Sequence, residues 1–195
     1  MPVVASMSDS DSSSGTDWEF TDVFADPLES VPDEQFDRER FVPAVGPLSA
    51  EVALIGEAPG AQEVQRGEPF AGQAGSQLDR ALEAIGYDRR DCYITNLVKV
   101  RPPENRDPHV AEIEAWWPVL EAELERVDPA VVVPMGSFAT AQLLETDETI
   151  TDLHGREFER EGRTVVPAFH PAAALYDRSK VDAIESDLET ALERA

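Results

Sequence analysis

Lysine is nearly absent from this sequence. Only Lys99 and Lys180 are present, and even with arginine the positive residues number 16 against 40 Asp and Glu, a formal charge of −24. Such an excess ordinarily opposes a polyanionic partner, because binding phosphates gains free energy when Lys and Arg release counterions. Lysine depletion with arginine retained, and acids spread along the whole chain, reads as a halophilic surface. In such salt the Debye length shrinks to about 3 Å, so the global charge repels a polyanion only weakly and nucleic acid is not excluded. Cysteine is equally scarce: Cys92 stands alone. An intrachain disulfide and a cysteine-ligated zinc or iron–sulfur centre are thereby ruled out. No apolar run approaches the eighteen or so residues of a membrane span. The start, MPVVASMSDSDSSSG, has neither a basic region nor a long apolar stretch, so export by a signal peptide is not expected and a cytoplasmic location is.

What is there suits one α/β domain, or a domain plus a tail: 195 residues, 42% of them hydrophobic. Residues 1–48 hold eleven acids and two arginines, with a Ser/Asp tract from Ser6 to Asp17. This composition predicts an acidic extension, disordered over roughly the first 16 residues. Trp18, Phe20, Phe24, Phe36 and Phe41 are expected to pack onto the domain that follows, over 49–195. There, short β-rich runs alternate with helical stretches. The runs are VALIG (52–56), CYITNL (92–97), VVVPMG (131–136) and TVVPAF (164–169); runs buried on both faces indicate parallel strands. Helices are expected over Ser76–Ile85, His109–Val127, Ser137–Leu144 and Ser179–Arg194, and a hairpin centred on Gly162 leads into the last strand. Together they predict a three-layer α/β/α sandwich around a four-stranded, mainly parallel sheet. In such sheets ligands sit beyond the carboxyl ends of the strands.

Three such ends carry chemistry. The first strand runs into Gly56-Glu57-Ala58-Pro59-Gly60 and on to Glu63, Phe70 and Gly75, a Gly/Pro-dense loop whose backbone can approach a flat ligand closely. It is neither a Walker loop nor GxGxxG. The second ends at Asn96, whose amide offers one acceptor and two donors to a base edge, or else caps a turn. Lys99, Arg101 and Arg106 behind it form the densest positive cluster of the chain and are expected to contact phosphate. The last strand ends in His170-Pro171, a histidine placed to donate to a ligand oxygen or to serve structure alone. Arg178 and Lys180 follow.

In order and spacing, GEAPG with a later Glu, then GEPFAGQAG, TNLVKVRPPENRDP, PMGSFA and HPAA resemble the uracil-DNA glycosylase superfamily, most closely its family 4 branch, over about residues 50–195. The resemblance implies DNA repair by base excision, with uracil-containing DNA as the partner and a uracil pocket at the edge of a four-stranded parallel sheet. It makes Phe70 the platform stacking on uracil, Asn96 the reader of N3–H and O4, and His170 the partner of O2. Glu63 falls where the family excludes the 5-methyl of thymine, the Gly56–Gly60 loop supplies backbone contacts, and the stretch after Pro171 is similar to the loop that probes the duplex. Glu57 is a candidate general base, a partner of the cationic sugar, or a carboxylate that only structures its loop. Arg178 and Lys180 join the three cations of the second loop as expected DNA contacts.

The sequence departs from that family at one place. Family 4 members usually hold a 4Fe–4S cluster on four cysteines, one in a KCRPP run, one in ACxP and a pair near the N-terminus. Here the runs read Lys99-Val100-Arg101-Pro102-Pro103 and Ala115-Trp116-Trp117-Pro118, and residues 1–50 lack cysteine. The expectation is a monomer without cluster, metal or other cofactor, with Val100, Trp116 and Phe36 or Phe41 filling the vacated volume. Two alternatives differ in class. A non-catalytic or covalently trapping uracil-DNA binding protein would resemble relatives with Gln in the GEAPG loop and a basic insertion, whereas Ala58 and an uninterrupted RPPENRDP stand here. An acidic DNA mimic would need no Phe70, Asn96 and His170 pocket.

Overall fold

The computed structural model describes residues 16–195. The disorder expected of the first residues falls on positions outside that range. The described chain begins with two short helices, α1 (Phe20–Val23) and α2 (Ala25–Glu29), then enters strand β1 (Val52–Gly56). Helices α3 (Ala61–Arg66) and α4 (Gln73–Ala84) lead to β2 (Tyr93–Asn96), and the long α5 (Val110–Val127) leads to β3 (Val131–Pro134). After α6 (Ser137–Leu144) and α7 (Ile150–Leu153) come β4 (Phe158–Arg160) and β5 (Arg163–Val165), followed by α8 (Ala173–Tyr176) and α9 (Ser179–Leu192).

The sheet has five strands in the order β2-β1-β3-β5-β4. β1 pairs in parallel with β2 and β3, β3 with β5, and only β4 runs antiparallel. The expected count of four is thereby corrected. The fifth strand is the outer arm of the hairpin at Gly162, where Glu161 (φ 51°) and Gly162 (φ 78°) form the left-handed two-residue turn that matches strand twist. The last run is shorter than TVVPAF: Val166 and Ala168 still donate to Val132 and Pro134 of β3, but Pro134 and Pro167 have no N–H to give on their sides of the ladder, and a parallel bridge between Met135 and Ala168 carries the same direction toward His170.

Alternation along the strands divides the core between the two sheet faces. Ala53, Ile55 and Val132 meet the N-terminal aromatics, α5 and Ala139 of α6 on one side. Val52, Leu54, Val131 and Val133 meet α4 and α9 on the other. Helices on both faces make the α/β/α sandwich. The N-terminal segment belongs to this packing. Val42 N–H donates to Lys99 O, Val45 exchanges hydrogen bonds with Ile94, and Phe41 bridges Val100, so residues 41–45 lie antiparallel along the outer edge of β2.

The first face also tests the cluster positions. Trp116 is wholly buried, with Phe36 packed edge-on at 5.2 Å between ring centroids and Phe41 stacked at 5.9 Å. Val100 is buried beside them. Indole, phenyl and isopropyl groups cannot ligate iron, and Cys92 lies instead just before β2, in the core of the opposite face. The residues present do not fit a 4Fe–4S cluster.

Candidate active site

Parallel register sets Gly56 of β1 directly beside Asn96 of β2 at the carboxyl edge of the sheet. A side chain at Gly56 would collide with the Asn96 amide oxygen and come within 2.7 Å of the Phe70 ring, so only a bare backbone lets these two groups approach one another. Phe70 arrives from the loop between α3 and α4, and its ring lies 5.5 Å from the His170 imidazole, tilted by 30°. The structure therefore brings Gly56, Phe70, Asn96 and His170 together, from three chain segments, at the end where the topology predicts a ligand.

The imidazole is in a defined state. Ala172 N–H donates to His170 Nδ1 at 3.1 Å, so Nδ1 is the acceptor and the ring proton resides on Nε2. Burial pushes the pKa down to about 4. At neutral pH His170 is an uncharged donor, which costs less to bury than an imidazolium and strengthens its bond as negative charge develops on an acceptor.

Glu57 continues β1, its carbonyl accepting from Val98 N–H. Burial, then the neighbouring charge of Asp107 and a hydrogen bond to it, raise the Glu57 carboxyl to about 7. The loop after β2 thus delivers a second carboxylate, Asp107, that sequence reasoning missed. Glu63 sits in the first turn of α3 and accepts from Gly60 N–H at 3.1 Å, fixing the loop after β1. Gly/Pro density had suggested an irregular loop there; a glycine N-cap hides the helix start from a search for Ser, Thr, Asp or Asn.

The expected cations divide. Lys99 is no surface contact, and its assignment to phosphate is corrected: it is fully buried. Its Nζ lies 2.6 Å from Glu123 of α5 and donates to Thr95 Oγ1 and Asn96 O, each at 2.8 Å. Tyr93 and Thr95 hydroxyls donate to the same Glu123 at 2.9 and 2.8 Å. Burial pushes the ammonium pKa down and the carboxyl pKa up, and each group's attraction for the other opposes that. This network anchors the backbone of Asn96 from below. Glu123 was detectable: it occupies the apolar stripe of α5 with Ile113, Trp116 and Leu120. Arg106 grips Glu112 with two nitrogens, at 2.7 and 2.9 Å, so a phosphate would have to compete. Arg101 donates to Asn105 and remains half-exposed. Arg178 is exposed, and Lys180 Nζ stands 4.2 Å over the ring of Phe169, next to His170.

At the carboxyl edge of a doubly flanked sheet, an aromatic ring, a carboxamide and a neutral imidazole form an arrangement able to stack on and hydrogen-bond one planar ring. Residues 43–193 match the uracil DNA glycosylase superfamily, and the chain belongs to it. Among its relatives is the type-4 uracil-DNA glycosylase of Archaeoglobus fulgidus, 41% identical over 78% of this chain and 80% of that one. The type-4 enzymes of Sulfurisphaera tokodaii and Thermotoga maritima are 36% and 37% identical, over 81% and 73% of this chain and 76% and 75% of theirs.

Proposed function

We propose that this protein excises uracil from DNA as a monofunctional glycosylase, leaving an abasic site. The observation that carries the proposal is the convergence of Phe70, Asn96 and a neutral, Nε2-protonated His170 around the bare backbone of Gly56. A flipped base is recognised by stacking and by bonds along its polar edge. Phe70 supplies the stacking face, Asn96 reads N3–H and O4, and Glu63 stands guard at the 5-position. His170 Nε2–H donates to O2, where negative charge builds as the C1′–N1 bond breaks. A water oxygen bonds to C1′, one of its protons passes to the Glu57 carboxylate, and uracil leaves as the anion. Until then the same carboxylate faces the cationic sugar. No step passes through a metal or iron–sulfur cluster, and we read the protein as cluster-free.

On the DNA side, Arg101, Arg178 and Lys180 are the proposed backbone contacts, with Arg106 in a lesser role. The stretch after Pro171 ends in Leu175 and in Tyr176, which is 91% exposed; such apolar side chains at a surface suit insertion into the space a flipped nucleotide leaves. Among the described residues no helix is long and apolar enough to cross a membrane. We read the molecule as a cytoplasmic monomer working in high salt, with an acidic extension over 1–48, whose Phe20, Phe24, Phe36 and Phe41 pack against the rest, and a glycosylase-like domain over 49–195.

The test is incubation with a uracil-containing oligonucleotide in concentrated KCl, followed by alkali. Strand scission at uracil is expected, with losses of about 100-fold or more in Asn96→Ala and His170→Ala, the range that follows removal of one preorganised donor. No scission at any salt concentration would instead make this a binding protein, and a product that stays attached to protein would indicate trapping chemistry.

A further inference from the structure

We propose that Arg89 is the positioning residue for the Phe70 platform, a clamp that holds this peptide in the one conformation that aims the ring at the base. The inference rests on the glycosylase reading above and names a part of the site that the sequence motifs do not contain.

Phe70 has φ 51°, a left-handed backbone that a bulky residue adopts only when its surroundings enforce it. The enforcement is visible. The Arg89 guanidinium spans two successive carbonyls, NH1 donating to Phe70 O at 2.6 Å and NH2 to Pro69 O. Asp79 of α4 accepts from the same NH1 at 3.2 Å, which ties the fork to a regular helix. From the other side Gly75 lies so close to the Phe70 carbonyl that any Cβ there would strike it. Among the described residues no other group donates to either carbonyl. A cavity of about 370 Å³ opens behind it, bordered by Phe70, Gly72, Ser76, Asp79 and Arg89. Close packing cannot fix the peptide where there is space for it to relax, so a directional polar clamp does. Arginine suits this and lysine does not, since only a planar fork reaches two acceptors at fixed spacing.

The experiment compares Arg89→Met and Arg89→Lys with wild type in the full-length protein. The readouts are single-turnover uracil release, affinity for the same oligonucleotide without uracil, and amide hydrogen exchange. For Arg89→Met we expect uracil release at least ten-fold slower with uracil-free DNA affinity within two-fold, and exchange accelerating at Ala71–Ser76 but not in β1 or β3. Arg89→Lys should fall between, and it serves as the folded variant should Arg89→Met prove too unstable to purify. In a Phe70→Leu background the Arg89 substitution should cost nothing further, since the clamp would have no platform to aim. Additive losses, or a loss that tracks uracil-free DNA affinity, would make Arg89 a DNA contact and overturn the proposal. So would unchanged exchange at Ala71–Ser76. If wild type releases no uracil, the proposed activity fails by itself, while the exchange comparison still decides the clamp.

Discussion

Replacing Lys99 by methionine separates two roles that the sequence alone confuses. The substitution keeps most of the side-chain volume and removes only the ammonium, leaving Glu123 buried without its countercharge and Thr95 Oγ1 and Asn96 O without a donor. Breaking one side of a buried ion pair typically costs about 3–5 kcal/mol. For a chain of this size each kcal/mol shifts Tm by about 2–4 °C, so a fall of about 6–20 °C is expected by calorimetry or thermal circular dichroism. Adding Glu123→Leu removes the stranded charge and should recover part of the loss. Recovery will be incomplete, because the Tyr93 and Thr95 hydroxyls then lack an acceptor, at about 1–3 kcal/mol for each one left buried and unsatisfied. The salt dependence of DNA binding gives the complementary readout. A phosphate contact contributes about 0.9 to the slope of log K against log salt on duplex DNA. Lys99→Met should leave that slope unchanged. Stability preserved within about 1 kcal/mol together with a reduced slope would refute the buried network and restore Lys99 to the surface.

Four further outcomes follow from the same geometry. If the Glu57 carboxylate acts in its ionised form, uracil release rises with pH through about 7, and Asp107→Asn, by removing the neighbouring negative charge, moves this limb to lower pH; a limb that ignores both Asp107→Asn and Glu57→Gln would discard that role. His170 is held at about 4, below its unfolded value near 6.5, so the folded state binds fewer protons between these values and stability should fall as pH drops through that window; His170→Gln should flatten the decline in a denaturant titration series. Cys92, buried with its thiol pushed up to about 12, should resist a disulfide reagent in the native protein and react fully in denaturant. Trp116→Ala should cost about 3–5 kcal/mol in urea unfolding, whereas Trp116→Phe should cost less than about 1.5 kcal/mol because the indole N–H has no hydrogen-bond partner among the described residues.

Much of this fold was legible because its signals are local. VALIG begins and ends where β1 does, and α6 spans the expected Ser137–Leu144. Gly56, Phe70, Asn96 and His170, which the structure brings together, stand out in the sequence by their place after strands and by resemblance. What escaped depends on distant partners. β4 carries one half-buried apolar residue, Phe158, in three positions, too short for a period of two to declare itself. Lys99 looked like a member of a surface cluster because its neighbours Arg101 and Arg106 are charged. Its partner Glu123 stands 24 positions away, and only folding sets them face to face. Arg89 belongs to a short charged turn, RRD, that carries no motif, yet its bonds reach back 19 and 20 positions. Asp107 likewise acquires meaning only when the loop after β2 folds over Glu57.

The strip of chain at 41–45 has a consequence for solubility. A border strand with unsatisfied peptide groups recruits whatever extended polypeptide drifts past, and self-association through such borders is a common route to precipitation. Here the molecule occupies its own border at β2 before a neighbour can, and Phe20, Phe24, Phe36 and Phe41 fasten the strip down. Trimming the protein to residue 43, where its superfamily match begins, would discard those fasteners and the pairing of Phe41 and Val42, exposing an oily face and leaving the border covered only by the loose end at Val45. The trimmed molecule should clump, however intact its catalytic residues.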